Sequence, residues 1–172
     1  MLNKMLNKIF RYKNKYRETE DYIEVVLEHP DTEREVVSKI DKEEFKHVKK
    51  HTWRLTKNGY ATNRMVGYLH RFILKPEDDL DVDHVNRDKL DNRKSNLREC
   101  TRSQNMMNTT LRSNNTSGVT GVSYCKQTKK WSAMIKINYK TIWLGRHATL
   151  DEAIEVRRNA EKKYFKEYRV SN

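Results

Sequence analysis

The chain has 172 residues and carries 36 lysines and arginines against 24 acidic residues, for a net charge of +12 and a pI near 9.7. Apolar residues make up 35% of it, which is low for one large core, so we expect one or two small domains that meet a polyanion. No run of about 20 apolar residues occurs, and we expect neither a membrane span nor a secretory leader. Cys100 and Cys125 form no C-x-x-C pair, so no structural zinc site is expected.

The first 35 residues change sign along the chain. Residues 1–17 contain six basic side chains and no acid, and we expect a basic arm that either contacts the polyanion or is a solvated tail. The segment Glu18–Glu35 is rich in acids, which phosphate would repel, so we expect it to face away from the polyanion.

Two strands and a helix are predicted next. Tyr22–Leu27 and Glu35–Ile40 have the composition of strands. Asp41 and Glu44 have the spacing of a capping box, which predicts a helix from Asp41 to about residue 50.

A β-hairpin is predicted around Asn58-Gly59, the favoured two-residue turn sequence, between strands at Trp53–Lys57 and Tyr60–Arg64. A two-stranded ribbon can enter a nucleic-acid groove, and the alternative is that Trp53 and Tyr60 only pack the hairpin onto a core. The basic side chains that would make the contact are Arg54, Lys57 and Arg64. A short helix is predicted over residues 68–74, before Pro76.

The stretch from Leu80 to Asn108 carries the chemistry. Leu80–Asp83 alternates apolar and polar residues and predicts a strand, a polar loop follows, and Ser95–Cys100 predicts a second strand. Thr101 or Ser103 can cap a helix after it.

Three side chains of this stretch suit the hydrolysis of a phosphodiester. The Asp83 carboxylate and the Asn105 amide offer hard oxygen ligands, and Mg²⁺ typically takes one or two of these while phosphate and water supply the rest. His84 has an unperturbed pKa of about 6.5, so it can accept a proton from water near neutral pH.

The pattern D-H-x₁₁-N-L-R, followed by T-x₃-N, resembles the HNH endonuclease motif in the H-N-N variant of phage and intron-encoded homing endonucleases, from Tyr68 to Asn108. The resemblance implies a ββα-metal fold, with His84 as general base and Asn96 bracing the loop between the strands.

The resemblance also implies one Mg²⁺ or Mn²⁺ per site, held by Asp83 and Asn105. Asn108 lies one turn after Asn105 and stays open as the alternative ligand. Arg71, in the Leu69-His70-Arg71 segment before the motif, is expected to pair with a phosphate or with a nearby acid, and His70 to be structural or to face phosphate.

The rest of the chain predicts a second domain. Residues 109–118 are small and polar and predict a linker, which Arg112 could hold along DNA. Strands are predicted at Gly121–Cys125, Lys130–Ile137 and Thr141–Arg146, and Thr149 with Glu152 predicts a capped helix.

The residues S-G-V-T-G-V-S-Y, K-W-S-A-M-I-K-I and I-W-L-G-R-H-A-T-L-D-E-A resemble the Apetala-type (ethylene-response-factor-like) DNA-binding domain, which lays a three-stranded sheet in the major groove. The alternative for Trp131 and Trp143 is core packing. The chain lacks some arginines of the plant domains, which implies looser sequence reading. The positions that the resemblance implies on the DNA-facing surface are Ser123, Lys126, Trp131, Met134, Lys136 and Trp143.

The sequence therefore predicts an α+β protein: a basic arm (1–17), an HNH nuclease domain (18–108, with its ββα-metal core at 80–108), a linker (109–118) and an Apetala-type domain (119–168). The resemblance implies a site-selective homing endonuclease that binds double-stranded DNA as a monomer and needs no small-molecule cofactor besides the metal. It also implies a phage- or intron-encoded protein in the cytoplasm of a bacterial host. The alternative is a catalytically inactive DNA-binding regulator on the same scaffold.

Overall fold

The computed structural model describes residues 14–27, 35–108, 111 and 113–168. Contacts divide the chain into two units, the first ending at Glu99 and the second beginning at Cys100. Both units mix small sheets with short helices, which agrees with the predicted α+β class.

The first unit contains a three-stranded sheet β1-β2-β3, a second three-stranded sheet β4-β5-β6, and the pair β7-β8, whose last residue lies at the boundary between the units. Its two α-helices are short. The elements are β1 (Tyr16–Glu18), β2 (Ile23–Leu27), β3 (Val36–Ile40), α1 (Phe45–Val48), β4 (Arg54–Leu55), β5 (Ala61–Asn63), β6 (Gly67–Tyr68), α2 (Leu69–Leu74), β7 (Asp81–His84) and β8 (Leu97–Cys100).

One core joins these sheets. Alternate residues of β2 are buried, as the strand pattern predicts, and Trp53 is fully buried with its indole N–H donating to the carbonyl of Val48 at 3.0 Å. The core consists of Ile23, Val25, Leu27, Ile40, Val48, Trp53, Ala61, Leu69, Ile73, Val82 and Leu97. The motif strands β7 and β8 therefore share a core with the N-terminal sheet.

The end of the expected basic arm belongs to this fold. Residues 1–13 lie outside the described part of the chain, but Tyr16 and Arg17 form part of β1, which pairs with β2. Asn14 donates to the carbonyl of Val26 at 2.9 Å and to that of Trp53 at 2.7 Å, so residues 14–17 are bonded to the N-terminal sheet or pair with it.

The predicted capping box at Asp41 is wrong. Lys42–Glu44 form a 3₁₀ turn before α1, and the Asp41 side chain caps no amide of that helix. It accepts instead from the backbone amide of Lys94 at 2.7 Å, and Glu44 pairs with the Lys94 ammonium. Asp41 and Glu44 bond Lys94 instead of capping the helix, so both acids anchor the loop that precedes β8.

The predicted two-residue turn at Asn58-Gly59 is also wrong. Thr56 and Tyr60 are bonded across the hairpin at 2.8 Å, which leaves a three-residue loop. The amide of Gly59 donates to the carbonyl of Thr56, and Gly59 takes φ +81° while Asn58 stays at negative φ. A type I turn followed by a left-handed glycine fits these residues as well as the mirror-image turn does.

The second unit contains a one-turn helix, an antiparallel sheet of order β11-β10-β9, and one long helix. The elements are α3 (Arg102–Asn105), β9 (Val122–Cys125), β10 (Lys130–Ile137), β11 (Lys140–His147) and α4 (Leu150–Phe165), with a 3₁₀ turn at Lys166–Tyr168. Val122, Ala133 and Ala153 form one apolar cluster of sheet and helix residues, and Ile135, Ala160 and Phe165 form another. The predicted three-stranded sheet backed by one helix is confirmed.

The capping box of α4 forms as predicted. The Thr149 hydroxyl accepts from the amide of Glu152 at 3.2 Å, and the Glu152 carboxylate accepts from the amide of Thr149. Thr149 and Glu152 bond each other here, in contrast to Asp41, whose side chain bonds a distant residue.

Strand β11 carries one extra residue. Ala133 pairs with Gly145 and Met134 with Trp143, so Leu144 is a bulge residue that packs into the core. Ser132 and Ala133, neighbours on β10, are both buried.

Part of the expected linker is folded onto the second unit. Ser117 is buried and donates to the carbonyl of Val122 at 2.8 Å, and Asn115 accepts from the amide of Gly118 at 2.7 Å. Residues 115–118 are therefore the start of the domain, four residues earlier than predicted.

Candidate active site

Asp83 and His84 lie side by side at the end of β7, only 6% and 5% exposed. Val82, the residue before them, is in the core, which fixes the strand. The chain then turns through Arg87, at φ +65°, whose amide donates to the carbonyl of His84 at 2.9 Å. The strand end thus presents a carboxylate and an imidazole that little water reaches.

The imidazole of His84 contacts a buried amide. Its Nε2 lies 3.1 Å from Oδ1 of Asn92, and Nδ2 of Asn92 donates to Oγ of Ser38 at 2.8 Å. Burial lowers the pKa of His84, partly offset by the hydrogen bond to Asn92. The neutral ring that a general base requires is therefore favoured near pH 7.

Asn96 closes the loop between the two motif strands. Its Nδ2 donates to the carbonyl of Asp91 at 2.8 Å, and its Oδ1 accepts from the amide of Asn86 at 2.9 Å. The side chain is 7% exposed. Asn96 thus holds the loop residues that follow His84.

Asp91 is a buried acid in the segment that the sequence predicts only as a polar loop. It is 2% exposed, and its carboxylate accepts from Nε and Nη2 of Arg93, both at 2.7 Å, and from Nδ2 of Asn86 at 3.0 Å. The hydrogen bonds from Arg93 lower the pKa of Asp91. The only sequence signal for this burial was the polar run Asp91-Asn92-Arg93, because polar residues that bond one another can be buried.

Arg98 contacts the expected metal ligand and was also missed. Its Nε and Nη2 donate to Oδ2 of Asp83 at 2.9 and 2.6 Å. Arg98 follows Leu97 in the N-L-R motif, so β8 carries a cation to the carboxylate on β7. The two charge-assisted hydrogen bonds fix the orientation of the Asp83 carboxylate.

Two rings contact His84, and a third stacks on one of them. The His70 ring lies 5.1 Å from that of His84 and stacks on Tyr68 at 5.4 Å, and Tyr60 contacts both histidines. Burial lowers the pKa of His70 to about 4, with His84 and Arg71 contributing. His70 is therefore neutral at physiological pH and part of the wall of the site, which agrees with the structural role expected for it.

Asn105 ends α3 in the second unit and is half-buried. Thr101, one of the two expected caps, forms a capping box with Gln104, and the amide of Asn105 donates to the carbonyl of Thr101 at 2.9 Å. Asn108 follows in a turn whose amide donates to the carbonyl of Asn105. The helix is tied to its own unit by Ser103, which bonds Asn138 in the turn between β10 and β11.

Among the described residues, no three His, Cys, Asp or Glu side chains are grouped so that they could hold a metal ion. One carboxylate oxygen or one amide oxygen is the kind of donor that Mg²⁺ accepts when phosphate and water complete its coordination, and the Asp83 side chain offers such a carboxylate.

The expected DNA-contacting residues of the first unit are exposed, with one exception. Arg54 and Lys57 lie on the β4–β5 hairpin and Arg64 lies in the turn after β5, and all three are exposed. Arg71 is half-buried, and its Nη1 donates to the carbonyl of Leu80 at 2.8 Å, so it braces the entry to β7.

Most of the expected contacts of the second unit are accessible. Trp143 is 53% exposed with Arg146 over its ring, and Ser123, Lys126 and Lys136 are exposed. Met134 is half-buried and pairs with Trp143. Trp131 packs against Val122 and Ala133, which fits the alternative of core packing for this residue. Arg112 lies outside the described residues.

No described helix is long and apolar enough to cross a membrane. No solved structure matches the chain.

Two comparisons identify the family. The sequence model of the HNH endonuclease family matches residues 68–107, which include β7, the loop, β8 and α3. An uncharacterized HNH endonuclease of Acanthamoeba polyphaga mimivirus is 32% identical over 133 residues, covering 73% of this chain and 68% of the viral protein. HNH nucleases typically depend on a divalent metal and act on DNA. The chain belongs to the HNH endonuclease family and is a nuclease.

Proposed function

We propose that the chain is a site-selective, divalent-metal-dependent DNA endonuclease of the homing type. The observation that carries the proposal is the buried pair of Asp83 and His84 at the end of β7, with His84 held by Asn92. A buried imidazole with a lowered pKa next to a carboxylate is typical of catalytic sites and supports the proposal.

His84 acts as the general base that takes a proton from the attacking water. Asp83 and Asn105 hold one Mg²⁺ or Mn²⁺, with Asn108 as the alternative to Asn105. When bound, the ion supplies charge stabilisation for the phosphate and for the leaving oxygen. Asn96 keeps the loop after His84 in place, and Arg98 orients the Asp83 carboxylate through two hydrogen bonds to one oxygen.

DNA contacts come from both units. The exposed arginines and lysine of the β4–β5 hairpin and the turn after it suit a phosphate backbone or a groove, and the second unit offers exposed basic and aromatic side chains on one sheet, as an Apetala-type reader would. Base contacts are needed from such a module, because a site built around phosphate reads little sequence. A monomer with one such site makes one nick per binding event.

Plasmid nicking in Mg²⁺ tests the proposal. His84→Ala should lower the nicking rate by about 10²-fold or more. It should bind DNA as the parent does, with an affinity that falls steeply as salt rises, because phosphate contacts release counterions. Equal nicking by His84→Ala would show that another group is the base. Absence of nicking by the parent with any divalent metal, on DNA that it binds, would favour the inactive regulator.

A further inference from the structure

A chain of buried hydrogen bonds runs from His84 to a backbone carbonyl. Nε2 of His84 lies 3.1 Å from Oδ1 of Asn92, Nδ2 of Asn92 lies 2.8 Å from Oγ of Ser38, and the Ser38 hydroxyl lies 3.0 Å from the carbonyl oxygen of Leu90. Ser38 is 0% and Asn92 1% exposed, so water does not compete for these groups. Every member therefore depends on its neighbours for its hydrogen bonds.

The carbonyl at the end gives the chain a direction. A carbonyl only accepts, so Ser38 uses its single hydrogen on Leu90 and must accept from Asn92. The amide nitrogen of Asn92 then faces Ser38, and its oxygen faces His84. Since an amide oxygen only accepts, Nε2 of His84 must carry the hydrogen. In the neutral imidazole the lone pair is left on Nδ1.

The N-terminal sheet holds this arrangement in place. Lys39, the neighbour of Ser38 on β3, donates to the carbonyl of Leu90 and accepts from the amide of Asn92, both at 2.8 Å. Lys39 and Asp91 form a parallel bridge, so the loop of the nuclease motif extends the edge of β3. Ser38 and Asn92, 54 residues apart in the chain, are thus fixed in register by backbone bonds on either side of their side-chain contact.

We propose that Asn92, oriented by Ser38, is a positioning residue that fixes His84 as the Nε2–H tautomer, with the ring's lone pair on Nδ1. The inference rests on the proposed role of His84 as general base. It adds that the strand before the HNH motif, and not the motif alone, sets the protonated nitrogen of that base.

The tautomer is measured directly by two-dimensional ¹⁵N–¹H NMR of the metal-free protein, because the two ring nitrogens of a neutral histidine have different ¹⁵N shifts. The parent should show a protonated Nε2 and an unprotonated Nδ1 for His84. Asn92→Asp keeps an acceptor facing the ring and should retain this pattern, whereas Asn92→Leu removes it and should give a mixture of tautomers. A protonated Nδ1 in the parent, or an unchanged pattern in Asn92→Leu, would overturn the proposal.

Ser38→Ala provides a second variant in case Asn92→Leu does not fold. Without the hydroxyl nothing holds the Asn92 amide in one orientation, so this variant should also mix the tautomers, and an unchanged pattern would count against the relay. In nicking assays Asn92→Leu should lower kcat by about 10–100-fold with little change in KM, as for partners of catalytic groups, and Asn92→Asp should recover most of it. Full kcat in Asn92→Leu would contradict the positioning role.

The NMR result separates this proposal from the function on which it rests. The expected tautomer in a protein that cuts no DNA would leave the relay intact and overturn the nuclease role of His84. The opposite tautomer in an active nuclease would overturn the relay alone.

Discussion

The loop between β7 and β8 and the C-terminal sheet with its helix are ordered in opposite ways. The loop buries polar side chains, with Asp91, Asn92 and Asn96 each less than 8% exposed and satisfied by named partners. The C-terminal unit is held by small apolar clusters of Ala133, Ile135 and Ala153 and their neighbours. Buried hydrogen bonds fix which group donates and which accepts, as a catalytic base requires. Apolar packing fixes the shape of a surface, as the proposed DNA-binding sheet requires.

Lowering the pH should destabilise the first unit, with its buried polar groups, much more than the C-terminal unit. Burial holds the pKa of His70 at about 4, and an exposed histidine in the unfolded chain titrates near 6.5. Between these values only the unfolded chain binds the proton, so stability is full above about pH 6.5 and is lost as pH falls toward 4, by about 3 kcal/mol at most. The lowered pKa of His84 acts in the same direction.

Urea unfolding followed by tryptophan fluorescence from pH 7 to pH 4 measures this loss, since Trp53 reports on the first unit. His70→Phe keeps the ring contacts with Tyr68 and removes the titration, so its stability should vary less with pH. An equal pH dependence in the parent and in His70→Phe would contradict the assignment.

Removing the buried carboxylate of the loop should have an effect of similar size. Asp91→Ala leaves Arg93 and Asn86 without their acceptor and should lower the free energy of unfolding by about 2–3 kcal/mol. Asp88→Ala is the matched control in the same loop, because Asp88 is exposed and accepts from one backbone amide, and it should cost less than about 1 kcal/mol. Equal losses in denaturant unfolding would show that the loop is not ordered by its buried acid.

Two glycines of the C-terminal unit test how tightly its sheet is packed. Gly121 and Gly118 both have positive φ, at +80° and +73°. A Cβ on Gly121 would lie 2.3 Å from the carbonyl oxygen of Met134, and a Cβ on Gly118 would meet nothing within 4 Å. Gly118→Ala should therefore cost about 1–2 kcal/mol for the backbone alone, and Gly121→Ala about 1–3 kcal/mol more for the clash. Thermal unfolding measures the stability lost in each variant. Equal losses would mean that the sheet shifts at Gly121 without cost and relieves the clash.

Sequence predicted the C-terminal unit better than the catalytic loop, for a physical reason. The strand pattern of β10 and the Thr149 capping box are local signals, and the structure contains both the strand and the capping box. Asp41 carries the same kind of signal, but Lys94 supplies a better partner from 53 residues away. Local spacing does not report such competition.

The candidate site divides in the same way. The sequence predicts Asp83, His84 and Asn96 as site residues because a motif orders them along the chain. Two of them are adjacent. Ser38 and Asn92 were missed because their contact spans 54 residues and because a polar loop predicts exposure. Their partners, and not their residue types, bury them.

The metal dependence of plasmid cleavage tests the central assignment, an ion held by Asp83 and Asn105 beside a histidine base, most directly. Nicking rates are compared over a range of Mg²⁺ and Mn²⁺ concentrations for the parent, Asp83→Ala, Asn105→Ala and Asn108→Ala, which removes the alternative ligand. We expect no cleavage by Asp83→Ala at any concentration, partial recovery of Asn105→Ala at high metal, and parental behaviour of Asn108→Ala. Full rescue of Asp83→Ala by metal would contradict the assignment.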